Sequence, residues 1–312
     1  MSRPITQSDL WKQLQDDLEE TSFDESEEGY YYLAILKKTP VGNYLYCPYG
    51  PVAENQTAFD ESIKSLKELA RKHHAIFVRI EPQNRELQLP KNAKKSKDLN
   101  PKDTWILDLT KDKSEIISNF AQGTRTRYNT YAKKGLRVEK TKEKDEIKHL
   151  VRLQNKLYKE KHLNTFSKEY LEAELSQPFA TLYKVIYDGE ETEDSPKKGQ
   201  VLAASLFFDY DDTRYYMQSA ADLDYRKLPA TVALLTEAIF DAKEQGISKF
   251  DFWGIAPDGA DKSHPWYGFT DFKKSFGGYA VHYQGTYDII ETPLKYKLYQ
   301  KSRKINRLLR RA

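Results

Sequence analysis

Apolar residues fall along the chain in runs whose spacing changes, and those changes mark out the elements. Aromatic and aliphatic residues run almost unbroken through "YYYLAILKK" (30–38) and "NYLYCPYG" (43–50), with "TPVG" between them, which predicts a strand pair. In "NQTAFDESIKSLKELARKH" (55–73) the apolar positions Phe59, Ile63, Leu66, Leu69 and Ala70 recur at helical spacing. "AIFVRIEP" (75–82) is then a short strand stopped by Pro82.

The same order returns later. "QVLAASLFFDY" (200–210) and "TRYYMQSA" (213–220) flank the turn "DD" and predict a hairpin. "PATVALLTEAIFDAKEQG" (229–246) is a helix with Pro at its first position and Gly just past its end. "KFDFWG" (249–254) is the next strand. Strand–strand–helix–strand thus occurs twice, without matching residues, which predicts two tandem domains of one mixed α/β type with a ligand site in the cleft between them. The expected division is 1–140 plus 284–312 against 141–283.

Between the copies, "TWILDL" (104–109) predicts a strand and "KSEIISNFAQGTRTRYNTYAKKG" (113–135) a helical stretch ending at Gly135. "EKDEIKHLVRLQNKLYKEKHL" (143–163) is an amphipathic helix, and "GEETEDSPKKGQ" (189–200) a polar loop joining two strands.

Composition narrows the class. Of 312 residues 39% are apolar and 31% charged, enough for globular cores under a strongly charged surface. The longest apolar runs, such as "VLAASLFF" (201–208), are too short to span a bilayer, and "MSRPITQSDLWKQ" has no signal-like core. The expectation is a cytoplasmic protein. One cysteine, Cys47, excludes an intrachain disulfide and reads as a buried thiol. The six histidines (73, 74, 149, 162, 264, 282) show no ligand spacing, so no metal is expected.

The net charge is only +3, but the basic residues are clustered. From Leu294 to Ala312 there are eight Lys/Arg and no Asp or Glu. "GTRTRYNTYAKKGLR" (123–137) is a second cluster; "KNAKKSK" (91–97) reads as a solvated face. Such clusters suit phosphate partners or an anionic membrane surface. The last segment also carries Leu294, Leu298, Ile305, Leu308 and Leu309 along one face. That fits a docked terminal helix, and equally a contact for nucleic acid or lipid headgroups.

Several chemistries are excluded: the chain has no GxxxxGK[ST], no GxSxG and no GxGxxG. The second strand–strand–helix–strand unit matches the order of the acyl-CoA N-acyltransferase (GNAT) fold, where a glycine-rich turn holds pyrophosphate on backbone N–H groups. Here that turn reads "YRKLPATVALL" (225–235): Pro229 removes a donor and no glycine lets the backbone approach. A chain with this order and this broken turn should use a different acyl donor.

Six stretches together resemble the Fem aminoacyltransferases, which build peptidoglycan cross-bridges with aminoacyl-tRNA. They are "YLYCPYGPV", the pair "AIFVRIEP" and "TWILDL", which resembles the early strands of the family, "GTRTRYNTYAKKGLRVE", "YYMQSAADLDYRKLPATVALLTEAI" and the closing "FDFWGI…GFTDFKKSFGG…YQGTYD". The last is the most specific. The resemblance implies two GNAT-like domains and, since no heptad stretch is present, no coiled-coil arm. It implies an aminoacyl-tRNA donor and an acceptor amine on a peptidoglycan precursor, either UDP-linked or lipid-linked. Peripheral contact with the inner membrane surface would follow from the lipid-linked form. No cofactor is implied.

On the same grounds Lys273, set among Trp266, Tyr267, Phe269, Phe272 and Phe276, is expected beside the terminal ribose and the reacting ester. A fixed cation there would stabilise the tetrahedral oxyanion, with Phe272 shaping the pocket. Asp108 is a candidate proton acceptor or a structural strand-end aspartate. Arg226, with Lys37 or Lys38 as a second choice, is expected to meet the acceptor's diphosphate. Tyr49 and Tyr216 are candidate packing surfaces for a sugar or a uracil ring, with plain strand packing the other reading of each, and Trp253 completes the substrate-binding set. Arg125, Arg127, Arg303, Lys304 and Arg307 are the expected tRNA contacts. Two other readings stay open: an acyl-CoA-dependent N-acyltransferase, and a non-catalytic RNA- or envelope-binding protein.

Overall fold

A computed structural model describes residues 2–161 and 166–309, without the side chains of 158–161 and 306–309. After one 3-10 turn the chain runs α1 (Asp9–Asp17), β1 (Ser22–Glu27), β2 (Tyr30–Thr39), β3 (Gly42–Cys47), β4 (Val52–Ala53), α2 (Gln56–Lys72), β5 (Ala75–Ile80) and β6 (Ala93–Lys95). There follow β7 (Asp103–Asp108), α3 (Lys113–Asn119), α4 (Gln122–Thr130), β8 (Leu136–Thr141), α5 (Ile147–Lys161), α6 (Lys168–Leu175) and β9 (Ala180–Tyr187). The remainder is β10 (Val201–Tyr210), β11 (Thr213–Ala221), α7 (Ala230–Glu244), β12 (Lys249–Gly254), α8 (Tyr267–Lys274), β13 (Tyr279–His282), β14 (Tyr287–Ile290) and α9 (Pro293–Leu309).

These elements form two units, one ending at Lys102 and resuming at His282, the other Asp103–Val281. The first carries a mixed sheet in the order β1-β2-β3-β5-β14-β6, with β4 on β2. β2 and β3 make the antiparallel hairpin, and β3 runs parallel to β5 as far as Cys47 opposite Ile80. α2 is the crossover between them. Asn55 caps it by accepting from Ala58 N at 3.0 Å, and Phe59, Ile63, Leu66 and Ala70 turn inward against Tyr32, Leu45 and Val78. Each large side chain so buried contributes about 2 kcal/mol. On another apolar cluster, α9 seats Tyr296 and Tyr299 against Phe77 and Tyr44. Beside it Arg79 and Asp288 form a buried two-pronged ion pair at 2.7 and 2.9 Å, and Tyr296 donates to the same carboxylate at 2.9 Å.

The second unit repeats the plan in the order β13-β7-β12-β11-β10-β9-β8. β10 and β11 are the hairpin, α7 the crossover, and β12 the parallel partner of β11. Val232, Leu235 and Ile239 of α7 pack with Phe207, Phe250 and Phe252 in the main core. The parallel pairs differ between units. β11 and β12 are paired only over Thr213–Tyr215 and Lys249–Asp251, and beyond that both strands continue unpaired with each other.

Three expectations are corrected. The second unit begins at Asp103 rather than 141, because β7 pairs antiparallel with β12, and α3 and α4 send Ile116, Phe120 and Tyr128 into its core. The stretch 113–135 is not one helix. Phe120 and Ala121 are extended, which lets the Phe120 ring enter the core, and the Arg125 guanidinium bonds the Ser118 and Phe120 carbonyls at the break. Pro229 is the cap of α7 rather than its first residue. Gly135 does end this region, in the left-handed conformation at φ +73°, where a Cβ would lie 2.4 Å from the Gly189 Cα.

Candidate active site

The end of β12 and the short helix α8 enclose a buried lysine. α8 is tied down by Thr270, whose hydroxyl donates to Trp266 O at 2.7 Å and accepts from Ala256 N at 2.8 Å. Lys273 lies three residues on, on the same helical face. Its Nζ donates to the Gly254 carbonyl at 2.6 Å and lies 5.1 Å from the centroid of the Phe269 ring. Only 9% of Lys273 is exposed. Burial pulls its ammonium down to about 8, with Asp251 opposing the fall. The group is therefore still largely protonated near neutral pH. One of its three N–H donors is used, and the other two have no partner among the described residues.

Asp251 is the acidic member of this site. It is 3% exposed, between the fully buried Phe250 and Phe252. It accepts from the Thr104 hydroxyl of β7 and from Trp253 N at 2.7 Å. Burial raises its carboxyl to about 6, against those hydrogen bonds and the Lys273 charge. Trp253 adopts φ +65°, a left-handed conformation that costs a non-glycine residue about 1 kcal/mol. The bond to Asp251 holds it there, and the β12–β7 register shifts in the same stretch, between Asp251 and Gly254. The aspartate thus shapes the turn whose next residue offers its carbonyl to Lys273.

The closing glycines have a steric reason. Gly278 lies at φ +101°, and a Cβ there would fall 2.3 Å from Ile106 O. Trp105 Nε1 donates to Gly277 O at 2.6 Å, while Phe276 is buried among Phe120, Phe252 and Phe272. The aromatic cluster around the lysine is therefore partly core and partly surface. Phe272 is half-buried and packs edge-on to Phe276, whereas Trp266 and Phe269 stay exposed.

Other expected site residues are placed differently. Asp108 accepts from Thr110 N at 2.9 Å and from its hydroxyl at 2.6 Å, which holds it below the usual carboxylate range. It pairs with Lys249 while Thr104 pairs with Gly254. Roughly 15 Å of strand, at about 3.3 Å per residue, separates it from Lys273's partner. Asp108 is a strand-end turn residue and not part of this site. Tyr216 stacks on Phe207 and bonds Ser219, as core packing. Trp253 packs its ring edge-on to Tyr215, with the centroids 6.0 Å apart. Arg226 is exposed just after the one-turn helix Leu223–Tyr225, before α7.

Lys37, Lys38 and Tyr49 belong to the first unit. Lys37 pairs with Glu20 at 2.9 Å, Lys38 is exposed, and Tyr49 is buried, donating to Pro101 O at 2.7 Å. Arg125 is engaged with the end of α3, whereas Arg127 and Lys304 are exposed. Arg303 lies over the Tyr299 ring at 5.8 Å, and the side chain of Arg307 lies outside the described residues. Asp251 and Thr104 were not among the sequence candidates. The available signal was an aspartate between two phenylalanines in a strand, where alternation would place one neighbour type in solvent.

Two copies of the acetyltransferase-type strand–strand–helix–strand plan, the second with an opened parallel pair and a buried ammonium at the end of its strand, define an acyl-transfer enzyme of the tandem GNAT type. The chain belongs to the FemAB family, whose family model matches residues 3–111 and 140–304, and it is an aminoacyltransferase. It is 23% identical over 344 aligned positions to the lipid II:glycine glycyltransferase of Staphylococcus epidermidis, covering 86% of this chain and 82% of that one. Its fold is similar to the crystal structure of FemX, with a TM-score of 0.79, 19% identity, and coverage of 95% and 94% of the two chains. A tandem GNAT protein from the clavulanic acid biosynthesis pathway superposes at TM-score 0.52, with 11% identity and coverage of 86% and 82%.

Proposed function

We propose that this enzyme moves an amino acid from the ester of an aminoacyl-tRNA to an amine on the stem peptide of a lipid-linked peptidoglycan precursor. The observation that carries the reading is the Lys273 ammonium, buried, anchored through one N–H to Gly254 and left with two donors. The amine attacks the ester carbonyl, the C=O π pair moves to oxygen, and a tetrahedral oxyanion forms. Lys273 would donate to that oxygen, or to the ribose oxygen as it leaves. In a dry setting such a donor lowers the barrier by about 3 kcal/mol. The oxyanion then collapses, the C–O bond to the ribose breaks, and the proton lost by the amine balances the one gained by the tRNA hydroxyl. An ester is already activated, so no strong base is required, and Asp251 serves to keep Lys273 charged. Arg226 is the preferred group for the acceptor's diphosphate, Lys37 being engaged with Glu20.

The acetyltransferase-type strand–strand–helix–strand order of β10, β11, α7 and β12 keeps the acyl-CoA reading in play. Against it, α7 starts on Pro229 with no glycine in the preceding turn. The test supplies charged tRNAs, acetyl-CoA and purified lipid-linked or UDP-linked precursors, and reads product masses with and without ribonuclease. A ribonuclease-sensitive aminoacyl adduct on the lipid-linked precursor is expected. Transfer from acetyl-CoA that ribonuclease leaves intact would overturn the reading.

A further inference from the structure

The C-terminal helix α9 has two faces that answer to different surroundings. One seats Tyr296 and Tyr299 on the first unit. The other exposes Leu294 at 76% and Leu298 and Ile305 at 56% each, the highest values among the large apolar side chains described. With 3.6 residues per turn these three fall within about 40° of one another, roughly 150° around the helix from the seated tyrosines. Lys295 flanks the stripe on one side, and Lys297, Lys301 and Lys304 on the other. All four are exposed, and none has an acidic partner among the described residues. No Asp or Glu follows Glu291.

We infer that this stripe is a docking surface for an anionic lipid bilayer. Three aliphatic side chains aligned in water are an unfavourable arrangement that nucleic acid would not relieve, since lysines alone meet phosphates. A second copy packed on the same stripe would bring two lysine rows face to face. An anionic bilayer answers both features. The aliphatic side chains enter the headgroup boundary, and the lysines extend their stems outward to the phosphates on either side. The helix would lie in the plane of the surface with its tyrosine face still on the protein. That attachment would hold the enzyme beside a lipid-linked acceptor, but it rests on α9 alone and stands whether or not the proposed transfer is correct.

The test uses the full chain without tRNA or acceptor. Sedimentation is measured with vesicles of phosphatidylcholine and phosphatidylglycerol in equal parts, and with phosphatidylcholine alone. Two variants are compared, Leu294→Ser/Leu298→Ser/Ile305→Ser and Lys295→Gln/Lys297→Gln/Lys301→Gln/Lys304→Gln. Every changed position is exposed, so both should melt as the parent does. Binding to the anionic vesicles only, weakened by about tenfold or more in each variant, is the expected result. Equal binding to both vesicle types overturns the inference, as does a serine variant that binds like the parent. So does sedimentation equilibrium without lipid showing a parent dimer that the serine variant dissolves.

Discussion

The carboxylate of Asp251 holds the backbone N–H of Trp253, two residues further on, at 2.7 Å. That bond supports a left-handed tryptophan and sets the backbone from which Gly254 meets Lys273. Asp251→Asn keeps an acceptor for Trp253 but removes the negative charge that opposes the fall in the lysine's pKa. The asparagine variant should stay folded, with its activity lost at a lower alkaline pH than in the parent. Asp251→Leu should be far less active at every pH. A pH–rate profile of both variants checks this, and an unmoved alkaline limb in the asparagine variant would refute the coupling.

Lys273→Met removes the cation and keeps the length of the side chain. We expect turnover to fall by roughly 10²- to 10³-fold. The melting temperature should be unchanged or higher, because the charge is buried at a cost. Single-turnover transfer from charged tRNA and thermal melts together check it. A variant that keeps parental turnover excludes the assigned role.

Stability should depend on pH through the same residue. The folded value of Lys273 is about 8 against an ordinary 10.5. Between these two values the unfolded chain binds the proton more fully than the folded one, so stability from this group rises with pH across that window. The gain is about 3 kcal/mol in total. Lys273→Met lacks the titrating group and should not show this gain, so denaturant unfolding should find the parent's stability relative to the variant rising by about 2 kcal/mol between pH 8 and pH 10.

Gly278→Ala would place a Cβ on Ile106 O in a conformation with φ +101°. A loss of about 2 kcal/mol or more is expected, with β13 released from β7. Urea unfolding measures it. Gly268→Ala is the control: Gly268 lies within α8, a Cβ there meets nothing within 4 Å, and little change is expected.

Arg125 separates two roles that the basic cluster 123–137 left merged. Its guanidinium bonds the carbonyls that close α3, so Arg125→Ala should lower stability by about 1 kcal/mol. The exposed Arg127→Ala should leave the melt unchanged and weaken tRNA binding. Thermal melts and filter binding at several salt concentrations distinguish them.

The repeated strand–strand–helix–strand plan was legible because it is local. Phe59, Ile63 and Leu66 mark α2, and the runs at 30–38 and 201–210 mark strands buried on both faces. β1, "SFDESE", was not, since Phe23 is its one apolar residue and its place is set by pairing with β2. Nor was the membership of β7, whose partner β12 lies more than a hundred residues away. At the site, Lys273 could be singled out only by resemblance to a family. Asp251 was hidden because a carboxylate inside "FDFWG" gives no local sign that Thr104, from another strand, will meet it.

The two sheets are completed crosswise. β14, near the end of the chain, lies between β5 and β6, as β7 lies between β12 and β13. During translation, therefore, the second unit has all its strands before the first does. Asp103–Val281 is one unbroken stretch and can close while still tethered to the ribosome. The sheet of the N-terminal unit lacks the strand between β5 and β6 until Tyr287–Ile290 has been synthesised.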